Sequence, residues 1–250
     1  MKHLAPFSPS LSLLLAMLAT MIFSSCEPDD LSKPVRVHFE LCFSESEDDA
    51  ALSYLTFRNI VIDIEKIGFY GIRQEGNDVL FNTRPGDPFG MHILTPSQNS
   101  SYVTYFDLKQ GVYQLMRWEM ELGEIDEDVY PDDYIDSDDF GFIIEGSYTR
   151  LDGTTVLLFI AIEEEEIISV ETVNEEGEVP IAIVIDSVYT VCLEINPYAL
   201  MRGIPRSMLE QAETDEEDDI EFIEISEDEN EELYNLVLFQ LSKTLKAVVR

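Results

Sequence analysis

The chain has 250 residues, 51 acidic against 15 basic side chains, a net charge of −36 at pH 7 and 45% hydrophobic residues. Charge of that sign excludes nucleic acid as a partner, since phosphates demand a basic face, and it opposes electrostatic adhesion to anionic membranes. The content of Tyr, Phe, Ile and Val excludes a disordered acidic tail and is enough to bury a sizeable core.

The first 25 residues are MKHLAPFSPSLSLLLAMLATMIFSS. Lys2 precedes an apolar stretch from Leu11 to Phe23 that stops at Ser24 and Ser25, which is the three-part layout of a secretory signal over 1–25. A bilayer span needs about 20 apolar residues, and this run is shorter. Cys26 follows at once. Phe23-Ser24-Ser25-Cys26 resembles a bacterial lipobox, with Phe23 where leucine is usual. The resemblance implies cleavage before Cys26, diacylglycerol on its thiol and acylation of its amine. Each buried methylene contributes ~0.8 kcal/mol, so two or more acyl chains hold a protein on a bilayer where one does not. Residues 26–33 are then a lipidated tether, and loss of Lys2 with the signal takes the net charge to −37. Glu27, Asp29 and Asp30 resemble the surface-export tag of Bacteroidota lipoproteins, which implies an outer-membrane protein facing outward. A solvated tether on the periplasmic side is the alternative.

From Lys33 the pattern is strand. VRVHFELCF (35–43) alternates with period two. Residues 54–72 are β-branched and aromatic and read as one extended or bulged strand. QEGND turns it into VLFN, and 84–90 is a loop by its Pro and Gly content. SYVTYFDL leads through KQG into VYQLMRWEMEL, where Val112, Met116, Trp118, Met120 and Leu122 share a face and Arg117, Glu119 and Glu121 look to water. Beyond the acidic loop 124–139, Asp152-Gly153 sits between two apolar runs and predicts a type I′ hairpin. NEEGE predicts another turn, and SVYTVCLEI closes a set of nine to eleven strands. Residues 34–195 therefore read as one β-domain, with a split near 120–140 as the alternative. Residues 196–250 read as a helical extension packed on it: two short pieces around Gly203 and Pro205, a charged linker into a short strand, and a closing helix. Ser226 or Asp228 is its expected N-cap, and Leu233, Leu236, Val237 and Leu241 form its stripe.

Cys42 and Cys192 fall on strand faces that allow pairing in an oxidising compartment, while two separate buried thiols are the plainer reading. His38 and His92 sit in no zinc or nucleophile motif, and no phosphate or dinucleotide fingerprint is present. The acidic loop is the candidate site. Asp126, Asp128, Asp132, Asp133, Asp136, Asp138 and Asp139 offer the hard oxygen ligands that calcium takes, although Phe140 and Ser147 break the EF-hand pattern. A solvated connector is the plain reading of such a loop. Tyr130 and Tyr134 either present rings to a sugar or protein, or anchor the loop to the sheet.

SSCEPDD, GVYQL, GSYTRLDG and the ending EELYNLVLFQLSKTLKAVV together resemble Bacteroidota envelope lipoproteins, and more distantly the fimbrillin-type lipoproteins. The resemblance implies a mainly β chain: an antiparallel β-sandwich of immunoglobulin or transthyretin type with a helical tail. It brings no catalytic residues. The expectation is a lipid-anchored, non-enzymatic binding or adhesion protein, with a glycan or another surface protein as partner and calcium as its one candidate cofactor. A hydrolase using a pair of carboxylates and a fimbria-associated anchor or tip component are the alternatives. Asp186-Ser187-Val188 is also similar to the short O-glycosylation acceptor of these bacteria.

Overall fold

The structure, a computed structural model, describes residues 31–45, 47–83, 89–127, 129–130, 134–135, 137–217 and 219–250. The chain is mainly β. It builds β1 (Pro34–Phe43), β2 (Leu55–Arg73), β3 (Val79–Asn82), β4 (Gly90–Leu94), β5 (Ser100–Lys109), β6 (Gly111–Leu122) and β7 (Phe140–Thr149). Next come β8 (Thr155–Glu163), β9 (Ile167–Asn174), β10 (Ile181–Ile183) and β11 (Tyr189–Ile195), then helices α1 (Pro197–Met201) and α2 (Arg206–Leu209). The last elements are β12 (Asp215–Glu217), β13 (Ile220–Ile225), α3 (Glu231–Thr244) and β14 (Lys246–Val249).

The 19-residue strand β2 is the spine. Its register breaks at Arg58 and at Glu65, and each bulge flips the face that looks inward. The buried set accordingly runs Leu55 and Phe57, then Ile60, Ile62 and Ile64, then Ile67 and Phe69. Both edges of β2 carry interrupted strands. On one edge β6 ends with Leu122 opposite Ile64, and β7 resumes with Phe142 opposite Ile62. The acidic loop is thus an excursion between two collinear strands. On the other edge β3 and β4 follow each other in the same way. The expected turn at NEEGE is also an interruption: β9 and β10 both run antiparallel to β6 on its far side, so they do not form a hairpin.

Among the described residues all fourteen strands join one sheet, in the order β12-β13-β8-β7-β2-β6-β9-β14-β11-β1-β5 with β3, β4 and β10 as side branches. It is a curled mixed sheet and departs from the antiparallel sandwich implied by the resemblance. The pairs β1–β11, β8–β13 and β9–β14 are parallel, each closed by a long connection. The curl brings β5 back towards β3 and β4 through side chains: Phe81 stacks on Phe106 at 5.0 Å, and His92 Nδ1 lies 2.9 Å from the Ser101 hydroxyl. Inside it Phe39, Phe69, Phe106 and Trp118 meet ring to ring, with centroids 4.6–5.1 Å apart for the pairs made by Trp118. Trp118 is fully buried, and its indole N–H donates to Thr172 Oγ1 at 3.0 Å. Gly71 is required there, because a Cβ on it would lie 2.6 Å from the Tyr113 ring.

Three local expectations change. The β7–β8 turn is not type I′, which needs positive φ at both central residues. Only Gly153 has it, at 89°, and the bonds Arg150 N to Thr154 O and Gly153 N to Arg150 O close a three-residue turn with a glycine bulge. Helix α3 starts after Asn230, whose side chain is used elsewhere, accepting from Glu213 N and donating to the Glu213 and Glu224 carbonyls. Its buried stripe is Leu233, Tyr234, Val237 and Leu241. The helix ends at Thr244, and Lys-Ala-Val-Val, which by its sequence continues the closing helix, is the strand β14 between β9 and β11.

Candidate functional site

Two regions concentrate charge that the fold does not explain by itself. The first lies where β2 ends. Arg73 falls in phase with Ile67, Phe69 and Gly71, so its side chain points inward and is only 7% exposed. A buried cation needs compensation, and carbonyl groups supply it. Nε and Nη2 donate to Asn77 O at 2.8 and 2.6 Å, and Nη1 donates to Leu31 O at 2.7 Å and Gln110 O at 3.0 Å. The neighbouring Gln110 N donates to Lys33 O. Gly76, at φ 88°, lets the β2–β3 turn close over the guanidinium, since a Cβ there would lie 2.8 Å from Nη2. Burial pushes the nearby Tyr113 phenol up to about 12. The chain emerging from residues 26–30 is therefore gripped at Leu31 and Lys33 at one end of the sheet. Cys26 itself lies outside the described residues.

The second region is some nine residues back along β2, about 30 Å at ~3.3 Å per residue. Here the acidic loop leaves β6. Ile125 N bonds Phe140 O across the neck of the loop, with Asp126 and Asp139 flanking that pair. The loop folds over the outer face of the sheet and makes a second small core of Val61, Ile125, Ile135, Phe140, Ile143 and Phe159 with their neighbours. Tyr130 donates to Glu145 at 3.1 Å, and the Tyr134 ring lies 6.0 Å from both Phe159 and Phe222. Both tyrosines thus hold the loop to the sheet. Beside the loop opens a depression of about 540 Å³, lined by Asp139, Glu163, Glu164, Glu165, Glu224 and Asp228 among others.

Of the aspartates proposed as calcium ligands, Asp128, Asp132, Asp133 and Asp136 lie outside the described residues, and Asp138 is described only as part of the 3-10 turn Ser137–Asp139. Asp139 reaches the depression and Asp126 stands at the neck. Among the described residues no group of three or more acidic, histidine or cysteine side chains is placed to hold a metal ion. The electrostatics are nonetheless unusual. Burial, then the charges of Glu227 and Asp228, raises the Glu163 carboxyl above its ordinary range, and burial does the same for Glu224. Asp63, pressed against Gly123 at the loop's base, is pushed up to about 6 by burial and then by Glu65.

In sequence, Glu163 in the acidic run 163–166 and Glu224 in the acidic block 210–232 read as solvated surface, and Arg73 passes without notice. In the case of Arg73 a signal existed, a charge in phase with an apolar strand face. For the two glutamates none did, in a chain where acids are everywhere. Cys42 and Cys192 form a disulfide on the outer face of β1 and β11, with Cα atoms 6.0 Å apart, so Cys42 is no nucleophile. His38 lies against the Tyr102 ring, and burial lowers the pKa of His92. Ser187 lies in an exposed turn. Compared with protein-family models, with characterised proteins and with solved structures, the chain matches none.

Proposed function

We propose that this chain is a lipid-anchored protein of the bacterial outer membrane, facing outward, with a non-enzymatic binding or adhesion role. The observation that carries the reading is the Arg73 grip. Only four residues lie between Cys26 and Leu31, so a lipid on Cys26 would hold the folded body within five residue steps, about 18 Å at ~3.6 Å per residue, of the bilayer. That end of the sheet faces the membrane, and the acidic region is carried some way out into solvent, where a partner reaches it. Partners suited to it are a surface protein with a basic patch, or a glycan bridged by calcium.

The first test is the intact mass of the mature protein with its cell fractionation. Diacylglycerol and an acyl chain on Cys26, with release of Cys26→Ala into the soluble fraction, support the anchor; an unmodified mature chain in the soluble fraction defeats it. Protease treatment of whole cells separates the outward from the periplasmic face. Melting with calcium, against magnesium at equal ionic strength, addresses the cofactor. A calcium-specific rise supports a metal-bridged partner, and equal shifts mean simple charge relief.

A carboxylate-based hydrolase is the second reading. It is favoured by Glu163 and Glu224 lining one depression with carboxyls that burial raises above the ordinary range, the direction in which a general acid is tuned. Product release from a glycan panel, abolished in Glu163→Gln or Glu224→Gln, would establish it over the binding role.

A further inference from the structure

The turn between β10 and β11, Val184-Ile185-Asp186-Ser187-Val188, exposes three aliphatic side chains: Val184 at 49%, Ile185 at 43% and Val188 at 79%. Scattered apolar residues on a surface need no explanation, but these three lie together and in a particular place. Ile183 pairs with Gly111, so Val184 begins beside Gln110, whose carbonyl shares the Arg73 Nη1 group with Leu31 O. On the other side, Tyr189 pairs in parallel with Val37, four residues after Lys33. The turn is fixed at both ends, for Val184 N donates to Tyr189 Oη at 3.0 Å and Asp186 takes φ 68°. Turn and tether therefore leave the same end of the sheet, a strand or two apart, or about 10 Å.

We infer that this turn is a second membrane contact, in which Val184, Ile185 and Val188 dip into the head-group boundary of the bilayer that holds the lipid. The inference rests on the anchoring of Cys26. Three small aliphatics alone bind a bilayer too weakly to matter. A tether of five residues makes the contact effectively intramolecular, and a weak contact then suffices to fix orientation. Charge does not drive it. Arg250 is taken by Glu194, and against Lys33 and Lys109 stand Glu75, Asp78 and Asp186 as well as Glu27, Asp29 and Asp30 of the tether, so the contact is apolar and survives high salt. The consequence is a body that stands on the membrane in one orientation instead of swinging on its tether.

The test uses the mature chain, residues 26–250, coupled through Cys26 to a maleimide lipid in phosphatidylcholine vesicles. With Cys42 and Cys192 paired, Cys26 is the one free thiol. Native Trp118 is buried and serves as an internal constant. Val188→Trp replaces a side chain in solvent, and Leu151→Trp, 73% exposed in the β7–β8 turn at the far end of β2, is the control. The expected result is a blue shift and quenching by brominated lipid at position 188, unchanged in high salt, with neither at 151. Ile185→Asp in the Val188→Trp background should remove both signals. Absence of quenching at 188 with the tether in place overturns the inference, as does equal quenching at 188 and 151 or a glycan on Ser187 in the native protein. Because the chemical lipid replaces the natural one, these results are independent of whether Cys26 is modified in the cell. An unlipidated native Cys26 defeats the anchoring reading first, and this one with it.

Discussion

At the scale of single residues, stability is concentrated in a few polar groups placed inside the apolar curl. The Trp118–Thr172 bond is one of them. Thr172→Val keeps the volume but leaves a buried indole N–H unpaired, which costs about 1–3 kcal/mol. Trp118→Ala empties the centre of the aromatic cluster and should cost about 3–5 kcal/mol. Urea unfolding of the two variants checks the order, and a Thr172→Val protein as stable as the parent would mean that the bond contributes nothing. The disulfide acts on the unfolded chain instead. It closes a loop of 150 residues, for which chain entropy predicts about 5 kcal/mol and native bridges typically show 2–5 kcal/mol. The urea midpoint should fall by a corresponding amount on reduction, and equally in Cys192→Ser. In sequence the pairing stayed open, because strand faces show that two thiols point the same way but not that 150 intervening residues return β11 to β1.

At the scale of elements, what alternation reveals is faces, and faces were legible for β1, β6 and β11, whereas β7 and β8 carry apolar runs buried on both sides. Partners were not. Three parallel pairings link distant segments, and no local pattern distinguishes an edge that meets the next strand from one that waits for the chain's last residues. β14 is the sharpest instance. Lys-Ala-Val-Val follows the helix with no Gly or Pro to mark a stop, so the pattern of α3 runs straight into it; the break is imposed by the gap between β9 and β11. Alternation of burial then becomes a prediction. Ala247 is fully buried and Lys246 is exposed. Ala247→Asp places a charge in the core of a central strand and should destabilise by several kcal/mol or prevent folding, whereas Lys246→Ser should change little. Circular dichroism and solubility distinguish this from a helix end, where both changes would be mild. The candidate site was half legible for a related reason. Composition marked the acidic loop, but the loop's course over the sheet depends on Tyr130 and Tyr134 finding Glu145, Phe159 and Phe222, contacts that spacing does not encode.

At the scale of the whole molecule, the charge of −36 is not spread evenly over the fold. Carboxylates crowd where β6, β8 and β13 end, and there burial first, and then the charges of neighbouring acids, raises the pKa values of Asp63, Glu163 and Glu224. An acid whose folded pKa exceeds its unfolded value binds its proton more tightly in the folded state. Stability is then greatest with the group protonated and falls as pH rises from the unfolded pKa through the folded one. For Asp63 that window runs from its ordinary 3.8 to about 6. Asp152 and Glu221 oppose this, since hydrogen bonds from Thr154 and from Arg150 hold them below their usual range. Their contribution is lost as pH falls from their ordinary values of 3.8 and 4.5 downwards, which is below pH 5.5. His92 opposes the raised carboxyls inside the range compared, because burial lowers its pKa and its share of stability is lost as pH falls below the ordinary 6.5. With three raised carboxyls against one lowered imidazole, the protein should melt higher at pH 5.5 than at pH 7.5. Added salt should raise the melting temperature at pH 7.5 more than at pH 5.5, because fewer carboxylates repel one another in acid. Asp63→Asn removes one buried charge while leaving the Asp63 backbone carbonyl on Gly123 N, so it should raise the melting temperature at pH 7.5 and narrow the difference between the two pH values. A melting temperature that is flat from pH 5.5 to 7.5 both in the parent protein and in His92→Gln, which removes the opposing imidazole, would mean that these carboxyls titrate normally. The acidic region would then be ordinary solvated surface, and the case for it as the place where a partner binds would lose its electrostatic support.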